Sequence, residues 1–232
     1  EIDGLEIIHR EVVHTPYGEP SGPITHGRIG SHRIAFLARH GYAHNIPPHQ
    51  INYRANIWAL HSVGVQKVVA ISAVGGITAQ MLPQALVIPH QIIDYTYGRN
   101  HTFFDEGLKS VTHVDFSYPY CANLRQALLA AGQAAQLSLV DGAVYGATQG
   151  PRLETAAEII RMERDGCDVV GMTAMPEAAL AKELGLSYAS CNVVANWAAG
   201  KVGDAPISME DMYKNLAESM IKVRALLKSL AC

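Results

Sequence analysis

The spacing of hydrophobic and polar positions changes several times along the chain, and each change predicts a new element. Short runs of β-branched and apolar residues indicate strands, whereas apolar residues that recur every three or four positions indicate helices. The run KVVAIS (67–72) is typical of a buried strand, and INYRANIWALHSVG (51–64) is typical of a helix that ends at Gly64. The first forty residues predict a β ribbon, with an apolar run at 34–38.

From Lys67 onward, predicted strands alternate with predicted helices, and no repeat, low-complexity tract or linker interrupts the pattern. This alternation predicts one α/β domain spanning residues 1–232, with helices on both faces of a sheet. A β-rich stretch at 85–96 contains Pro89, which favours an irregular or edge strand. The other predicted strands are 143–150, 168–173 and 187–196, and the other predicted helices are 123–136, 154–166, 176–185 and 208–230.

Side chains that can bind an anion follow several of the predicted strands. Ligands of open α/β sheets bind beyond the carboxyl ends of the strands, which the topology brings to one edge. An arginine fork can donate two parallel hydrogen bonds to phosphate, hydroxyl groups add donors, and glycine lets the backbone approach an anion closely. We therefore predict an anion site at this edge, formed from Arg39 and His40, Ser72 and Ala73, Gly75 and Gly76, residues 149–154, Met172 and Thr173, and Asn196.

Spacing alone leaves ordinary structural explanations open for the same residues. Arg39 can be a solvated surface charge, the glycines at 75 and 76 can form a plain turn, and Thr173 can cap the helix that follows it. The sequence has no G-x-S-x-G, no G-x-x-x-x-G-K-[ST] and no G-x-G-x-x-G after a strand. These absences argue against a serine hydrolase, a P-loop NTPase and a dinucleotide-binding enzyme. The pattern therefore supports an anion site without fixing the reaction.

Composition and charge remove further classes of function. The 18 basic and 21 acidic residues are mixed along the chain and leave a net charge of −3, so no basic stripe suggests nucleic acid. No apolar run reaches the roughly 18 residues that span a bilayer. The four scattered cysteines predict neither a disulfide framework nor a zinc site and favour a reduced, cytoplasmic protein. His40, His44 and His49 lie in a segment broken by glycine and proline, so we predict no metal site there.

Several motifs, spread in order over most of the chain, carry a resemblance to a known family. They are LARHG, NYRANIWAL, SAVGGI, TQGPRLETAAE and GMTAMPEAALAKELGLSYA, and the resemblance extends from about Tyr17 to about Leu227. These segments resemble the trimeric purine nucleoside phosphorylase and 5′-methylthioadenosine phosphorylase family, most closely its bacterial 5′-methylthioinosine phosphorylases. The resemblance implies a single domain with a mixed, twisted, barrel-like sheet surrounded by helices. It also implies a homotrimer that cleaves purine nucleosides with inorganic phosphate as co-substrate and without a cofactor.

The resemblance further implies which residues bind phosphate and nucleoside. Family members begin with a glycine-rich strand and loop whose hydroxyl group holds phosphate, and this sequence starts after the position of that loop. The catalytic residues of the family match Arg39, His40, Ser72 and Asn196. All the matching residues are Arg39, His40, Ser72, Ala73 (through its backbone N–H) and Thr173 for phosphate; Met172 for ribose; Glu154 and Asn196 for the purine; Leu153 as a further substrate contact; Met209 and Met212 for the 5′ substituent; and His113, which closes that pocket from the neighbouring subunit.

Glu154 and Asn196 predict which purine is bound. An amide can accept from N7–H and donate to O6 of a 6-oxopurine, and a carboxylate can accept from the N1–H that adenine lacks. Family members that read a 6-amino group carry Asp at the positions of Asn196 and Ala198. An unpaired buried partner costs roughly 1–3 kcal/mol, so two mismatches predict discrimination on the order of 10²-fold to 10⁴-fold. The structural alternative is that Asn196 caps a turn and Glu154 lies near the positive end of a helix dipole.

The expected function is phosphorolysis of a 6-oxopurine nucleoside. The stretch ISMEDMYKNL (207–216) contains Met209 and Met212 and no histidine, which favours an apolar methylthio group at the 5′ position. We therefore expect 5′-methylthioinosine to yield hypoxanthine and 5-methylthioribose 1-phosphate. Alternatives are a 5′-methylthioadenosine phosphorylase, a general inosine or guanosine phosphorylase and, in a different class, a purine- or phosphate-binding protein without turnover. A nucleoside hydrolase would have no use for a phosphate-binding Arg39.

Overall fold

A computed structural model of the protein describes residues 4–105, 107, 110–203 and 205–231. Within them the chain forms ten β-strands and five α-helices, and the strands make one three-stranded and one seven-stranded sheet. The strands are β1 (Leu5–Glu11), β2 (Ile24–Ile29), β3 (His32–Phe36), β4 (Lys67–Gly76), β5 (Leu86–Ile88), β6 (Gln91–Asp94), β7 (Leu139–Asp141), β8 (Val144–Ala147), β9 (Val169–Gly171) and β10 (Ser187–Trp197); the helices are α1 (Tyr53–Ser62), α2 (Ala122–Ala134), α3 (Ala156–Arg164), α4 (Ala174–Glu183) and α5 (Met209–Leu230).

The predicted N-terminal ribbon is a three-stranded antiparallel sheet in the order β1-β2-β3. A tight turn joins β2 to β3, so that Ile29 lies opposite His32. Gly30 has a φ of 56° in that turn, a left-handed conformation that glycine adopts without steric cost. Arg39 lies three residues beyond the end of β3 and contacts the larger sheet.

The seven-stranded sheet is mixed and curled, with the strand order β6-β8-β9-β4-β10-β5-β7. Its centre is β4 and β10, which pair in parallel along their length. Side chains at alternate positions of a strand face opposite ways. Tyr188 and Val194 of β10 join the core that includes α1 and α4, whereas Cys191 joins the core that includes α2 and α5. Helices therefore cover both faces of the sheet, as predicted.

β4 is longer than the sequence pattern predicts. The prediction that Gly75 and Gly76 break the strand and open their backbone to an anion is wrong, because both glycines pair with β9 and with β10. A Cβ atom at Gly76 would overlap the backbone carbonyl of Met81, and one at Gly75 would lie 3.2 Å from Val170 Cγ1. The glycines therefore allow close packing, and Ser72 lies within the strand rather than at its end.

Two further differences concern short strands. The β-rich stretch at 85–96 forms two strands, β5 and β6, on either side of Pro89, and β6 lies at the edge of the sheet as the proline suggested. β7 has three residues and no distinguishing pattern, so it was not predicted. β4, β5 and β6 follow one another without a helix, so the alternation of strands and helices is incomplete.

α5 is anchored to the carboxyl end of β10. It is 22 residues long, yet neither α5 nor any other described helix is apolar enough to cross a membrane. Ser208 caps its first turn by accepting a hydrogen bond from the Asp211 backbone N–H at 3.1 Å. Asn215 Nδ2 donates to the Ala195 carbonyl at 2.9 Å, which ties the helix to the residue before Asn196.

Candidate active site

Arg39 is held by a buried carboxylate, Glu177 of α4. Its Nε donates to Glu177 Oε2 at 2.7 Å and its Nη2 donates to Oε1 at 2.6 Å, which is the bidentate geometry of a strong ion pair. Burial by itself lowers the pKa of Arg39, but the charge and hydrogen bonds of Glu177 raise that pKa above its ordinary value. The guanidinium therefore stays charged and has one fixed orientation.

The rest of the guanidinium faces β4 and a pair of hydroxyl groups. Arg39 Nη1 donates to the Ile71 carbonyl at 3.0 Å and lies 3.5 Å from Ser72 Oγ. Ser72 Oγ lies 3.2 Å from Thr173 Oγ1, and both residues are buried. Thr173 stands at the N-cap position of α4, as the alternative holds, but its side chain makes no capping hydrogen bond, so capping does not occupy its hydroxyl group. One arginine and two hydroxyl groups thus converge in an arrangement that suits a tetrahedral anion.

Ala73 can add a backbone donor at the same place. In a β-strand the N–H and C=O of one residue point to one edge, and those of the next residue point to the other edge. The Ile71 carbonyl points toward Arg39, so the Ala73 N–H, two residues further on, points to the same edge. β9 occupies that edge at Gly75 and Gly76, beyond Ala73.

His40 has a different environment from that of Arg39. Its Nδ1 lies 2.9 Å from the Ile46 carbonyl, so Nδ1 carries a proton and donates it. Burial lowers the pKa of His40; the Ile46 hydrogen bond opposes this shift, while Arg39 and His44 reinforce it. The ring is therefore neutral at neutral pH, and Nε2 can accept a hydrogen bond from a protonated phosphate oxygen.

Glu154 is held by the hydroxyl group of Thr148, which follows β8. Thr148 Oγ1 donates to Glu154 Oε1 at 2.6 Å, so the second carboxylate oxygen is the one that can accept from a ligand. The start of α3 is capped by other residues, because Thr155 and Glu158 form a reciprocal capping box. Glu154 precedes this box, so the helix does not need its carboxylate to begin.

Asn196 lies one residue from the end of β10, immediately after a β-bulge. The register shifts between Val194 and Asn196, so Asn196 lies beside Gly75 of β4. Its Nδ2 donates to the Trp197 carbonyl at 2.7 Å, a local contact of the kind that the structural alternative predicted. The amide keeps Oδ1 and one N–H, so it can still accept from a ligand and donate to it.

Asn196 and Glu154 lie on the same side of the sheet. Residues beside each other in paired strands share a face, so Asn196 shares the face of Gly75. A Cβ atom at Gly75 would contact Val170 and Ala198, which belong to the core beside α3. Glu154 lies two residues before the start of that helix.

The loop after β10 contacts the start of α3 directly. A Cβ atom at Gly200 would lie 2.7 Å from Ala156 Cβ, so the segments that carry Asn196 and Glu154 are adjacent. Ser72 faces the opposite side of β4, because side chains alternate along the strand. A ligand that contacts both groups must therefore lie across the carboxyl end of β4, with its anionic part on one side and its base on the other.

Met172 lies between these two groups, directly before Thr173. Its Sδ packs against Gly150, which has a φ of 61° and would overlap the sulfur if it carried a Cβ atom. Gly150 in turn lies four residues before Glu154. The thioether therefore lies between Thr173 and the segment that leads to Glu154, and its predicted contact with ribose stays a prediction.

The remaining predicted residues lie at the rim of this region. Leu153 is 40% exposed and Met209 is 46% exposed. Met212 is half-buried, one turn before Asn215 on α5, and His113 is exposed on the segment between β6 and α2. Their contacts with a substrate stay predictions.

Three residues that position the site were not identified from the sequence. Glu177 is the acidic residue of the apolar stretch PEAALA, and a carboxylate in a buried helix is a signal that could have identified it. Arg99 lies in a segment without a periodic pattern, and Thr148 lies near the end of the predicted strand 143–150. Arg99 donates to the carbonyl groups of Met172 and Thr148 at 2.8 Å and 3.2 Å, contacts between distant positions that no local pattern predicts.

One group among the described residues could hold a metal ion. His9, Glu11 and His26 offer ligand atoms within 4.8 Å of one another on β1 and β2. This group lies on the three-stranded sheet, whereas Ser72 and Asn196 lie on the seven-stranded sheet. The closest contact in this group joins His26 Nε2 and Glu11 Oε2, at 2.9 Å.

Comparison with known proteins assigns this architecture to a family. The family model described as the phosphorylase superfamily matches residues 3–231. The chain belongs to the phosphorylase superfamily. A probable S-methyl-5′-thioinosine phosphorylase of Pseudomonas syringae pv. tomato is 53% identical to it over 227 residues, 98% of this chain and 92% of that protein. A 6-oxopurine nucleoside phosphorylase of Pyrococcus furiosus is 47% identical over 220 residues, 92% of this chain and 82% of that protein.

Solved structures agree with membership of the phosphorylase superfamily. A methylthioadenosine phosphorylase from Schistosoma mansoni in complex with adenine superposes with a TM-score of 0.95 at 30% identity, covering 99% of this chain and 87% of that one. A methylthioadenosine phosphorylase from an antarctic soil metagenomic library has a TM-score of 0.92 at 34% identity, covering 98% and 80%. The mixed sheet surrounded by helices is therefore the fold of these phosphorylases, as the resemblance implied.

Proposed function

We propose that the protein is a purine nucleoside phosphorylase that cleaves 6-oxopurine nucleosides with inorganic phosphate and prefers 5′-methylthioinosine. Its products are hypoxanthine and 5-methylthioribose 1-phosphate. The observation that supports the proposal is that β4 has the cluster of Arg39, Ser72 and Thr173 on one face and Asn196, next to the segment that carries Glu154, on the other. The names of the two curated relatives support the same reaction.

Phosphate is positioned in this mechanism rather than activated by a covalent step. Arg39, the Ser72 and Thr173 hydroxyls and the Ala73 N–H hold three of its oxygens, and His40 Nε2 accepts its proton. The remaining oxygen then forms a bond to C1′ while the bond from C1′ to purine N9 breaks. Fixing the reacting atoms about 3–3.5 Å apart removes much of the entropic barrier. The ribose lies against Met172 while it carries positive charge.

The departing purine takes the electron pair of the broken bond and gains a proton at N7 from solvent. Asn196 Oδ1 accepts from N7–H, and the N–H of Asn196 that is not bound to Trp197 donates to O6. Glu154, held by Thr148, accepts from N1–H with its second oxygen. The N–H that Asn196 donates to O6 stabilises the negative charge as it develops, whereas Glu154 orients the base. Adenine has no N1–H and offers an amine in place of O6, so it leaves both side chains mismatched.

The methionines at the start of α5 favour a methylthio group at the 5′ carbon. Met209 is 46% exposed in the single chain, and its thioether can pack against sulfur and methyl groups. The alternative is a 5′-methylthioadenosine phosphorylase, the name of the two solved structures described above. Against it stands Asn196, where family members that read a 6-amino group carry Asp.

The proposal includes a homotrimer in which His113 of one subunit closes the 5′ pocket of its neighbour. His113 is exposed in the single chain, which a role in another subunit requires. The substrates are small molecules, and the proposal includes no cofactor, nucleic acid or membrane. A cytoplasmic location belongs to the same proposal, supported by the free cysteines Cys121, Cys167 and Cys191.

The test compares 5′-methylthioinosine, 5′-methylthioadenosine and inosine, each with and without phosphate, by release of free base. We expect the highest kcat/KM for 5′-methylthioinosine and no release without phosphate. Equal kcat/KM values for 5′-methylthioinosine and inosine would contradict the proposed role of Met209 and Met212. A higher kcat/KM for 5′-methylthioadenosine would establish the alternative, a 5′-methylthioadenosine phosphorylase. Release that persists without phosphate would indicate a hydrolase, and no release at all would indicate a binding protein.

A further inference from the structure

Arg99, on the segment after β6, makes six hydrogen bonds, all to neutral oxygens. Four of its partners are backbone carbonyls, one is a side-chain amide and one is a phenol. Nε donates to Gln149 Oε1 at 3.1 Å; Nη1 donates to the Met172 carbonyl at 2.8 Å, the Met175 carbonyl at 2.6 Å and the Tyr53 hydroxyl at 3.2 Å; Nη2 donates to the Thr148 carbonyl at 3.2 Å and the Gln149 carbonyl at 2.8 Å.

These contacts occupy every donor that the side chain has. A guanidinium carries five N–H groups, so six contacts require at least one N–H to be shared and leave none for a substrate. Arg99 therefore acts through the residues that it holds. Because its partners are neutral, the role of the side chain is to fix their geometry rather than to balance a charge.

The four carbonyls belong to two loops with different tasks. The carbonyls of residues 148–149 lie in the loop after β8, which leads to Glu154 and hence to the base. The carbonyls of Met172 and Met175 lie on either side of Thr173, where the loop after β9 enters the first turn of α4 and the anion is bound. A single planar group thus joins the anion loop to the base loop.

We propose that Arg99 is a positioning residue that couples phosphate binding to purine binding. The inference rests on the proposed function, since both subsites belong to it. A rigid fork bonded to two loops cannot follow a shift of one loop without straining its bonds to the other. An anion that fixes the loop after β9 therefore also fixes the loop after β8, and by reciprocity the purine tightens the binding of the anion.

Arg99→Lys is the informative variant, and Arg125→Lys is its matched control. Lysine keeps the charge but has three N–H groups on one nitrogen, so it cannot hold both loops at once. Arg125 of α2 also binds backbone carbonyls, those of Pro89 at 2.7 Å and Ile88 at 3.2 Å, together with the exposed carboxylate of Asp141. It does so away from the two loops, so its variant measures the general effect of losing a carbonyl-bound arginine.

The first measurement is the dissociation constant of hypoxanthine by calorimetry, with and without inorganic phosphate. We expect phosphate to tighten hypoxanthine binding about 5-fold or more in the wild type and in Arg125→Lys, and less than about 2-fold in Arg99→Lys. The proposal is overturned if Arg99→Lys keeps the wild-type factor or if the wild type has no such factor. Should Arg99→Lys fail to fold, Arg99→Gln, whose planar amide keeps two donors, takes its place.

The second measurement is turnover of 5′-methylthioinosine. We expect kcat/KM to fall about 10²-fold in Arg99→Lys, since small displacements of reacting groups have effects of that size, with an unfolding midpoint close to that of Arg125→Lys. Equal losses of activity in the two variants would contradict the role of Arg99. A wild type that binds phosphate and hypoxanthine cooperatively but releases no base would contradict the proposed function and leave the coupling intact.

Discussion

At the scale of single residues, the N–H groups of Arg39 are divided between contacts within the protein and contacts available to a ligand. Nε and Nη2 bind Glu177, and Nη1 binds the Ile71 carbonyl. Nη1 also lies 3.5 Å from Ser72 Oγ, which in turn lies 3.2 Å from Thr173 Oγ1. Glu177 therefore fixes the orientation of the guanidinium and hence the direction in which its remaining N–H groups are available to an anion.

Glu177→Gln should weaken phosphate binding. An amide oxygen can accept one hydrogen bond from Arg39 but carries no charge, and hydrogen bonds to charged groups contribute about 1.5–3 kcal/mol each. We expect the KM of phosphate to rise about 10-fold or more, with a smaller change in the KM of the nucleoside. Initial rates at saturating nucleoside measure this. Glu163→Gln, which removes an exposed contact with Lys201 at 2.8 Å, should match the wild type, and an unchanged phosphate KM in Glu177→Gln would contradict the argument.

Asn196→Asp should move the base preference toward 6-amino purines. A carboxylate can accept from N7–H and from an amine but cannot donate to O6. The ratio of kcat/KM for 5′-methylthioinosine to that for 5′-methylthioadenosine should fall about 10²-fold. The single variant is the clean test, because Ala198 is 3% exposed in an apolar core and Ala198→Asp would bury a carboxylate there. A constant ratio would mean that Asn196 does not read the base.

The residues of the site were predictable from the sequence in part. Arg39, Ser72 and Thr173 were identified together as anion-binding residues, and the structure brings them into contact. Glu177 lies 138 positions from Arg39 along the chain, so the ion pair that orients the arginine has no local signature. For the same reason the sequence predicted an arginine near an anion but not the direction in which its donors point.

At the scale of elements, the carboxyl end of β4 determines how the two halves of the site meet. Helices α1 to α5 were predicted within a few residues, because their apolar residues recur at the helical period. The end of β4 was not predicted correctly, because two adjacent glycines are an ordinary turn signal. Pairing with β9, which is remote in sequence, keeps Gly75 and Gly76 in the strand, and that pairing places Thr173 beside Ser72.

Gly76→Ala should destabilise the fold at this point. The added methyl group would overlap the Met81 carbonyl, and overpacking of this kind costs about 1–3 kcal/mol. Urea unfolding measures the loss. Gly22→Ala is the control, because its Cβ would lie 3.5 Å from the Tyr42 ring, an ordinary contact. Equal stabilities of the two variants would mean that β4 can move away from Met81 without cost.

At the scale of the whole molecule, the predicted nucleoside site is open at its rim. Leu153, Met209 and His113 are exposed in the single chain, although each is a predicted substrate contact. If a neighbouring subunit covers this rim, these side chains can be exposed in the single chain and still contact a substrate in the assembly. Symmetric assembly would place the same residues in every site.

Mixing two impaired variants should restore activity if subunits share their sites. Arg39→Ala removes the anion site of its own subunit, and His113→Ala removes the residue predicted to complete the next one. Random assembly of equal amounts into rings gives about one site in four with both side chains intact. Base release after the variants are unfolded and refolded together, compared with each refolded alone, measures this. No gain on mixing would contradict a contribution of His113 to its neighbour.

The hydrogen bond from Asn215 to the Ala195 carbonyl has a consequence for how a substrate is sensed. Asn215 lies one turn beyond Met212, and Ala195 is the extra residue of the bulge that aims Asn196. Any displacement of the first turns of α5 is thus transmitted to the end of β10. If a methylthio nucleoside binds as proposed, its 5′ substituent and its base are therefore not fitted independently, and a poor match at one end weakens binding at the other.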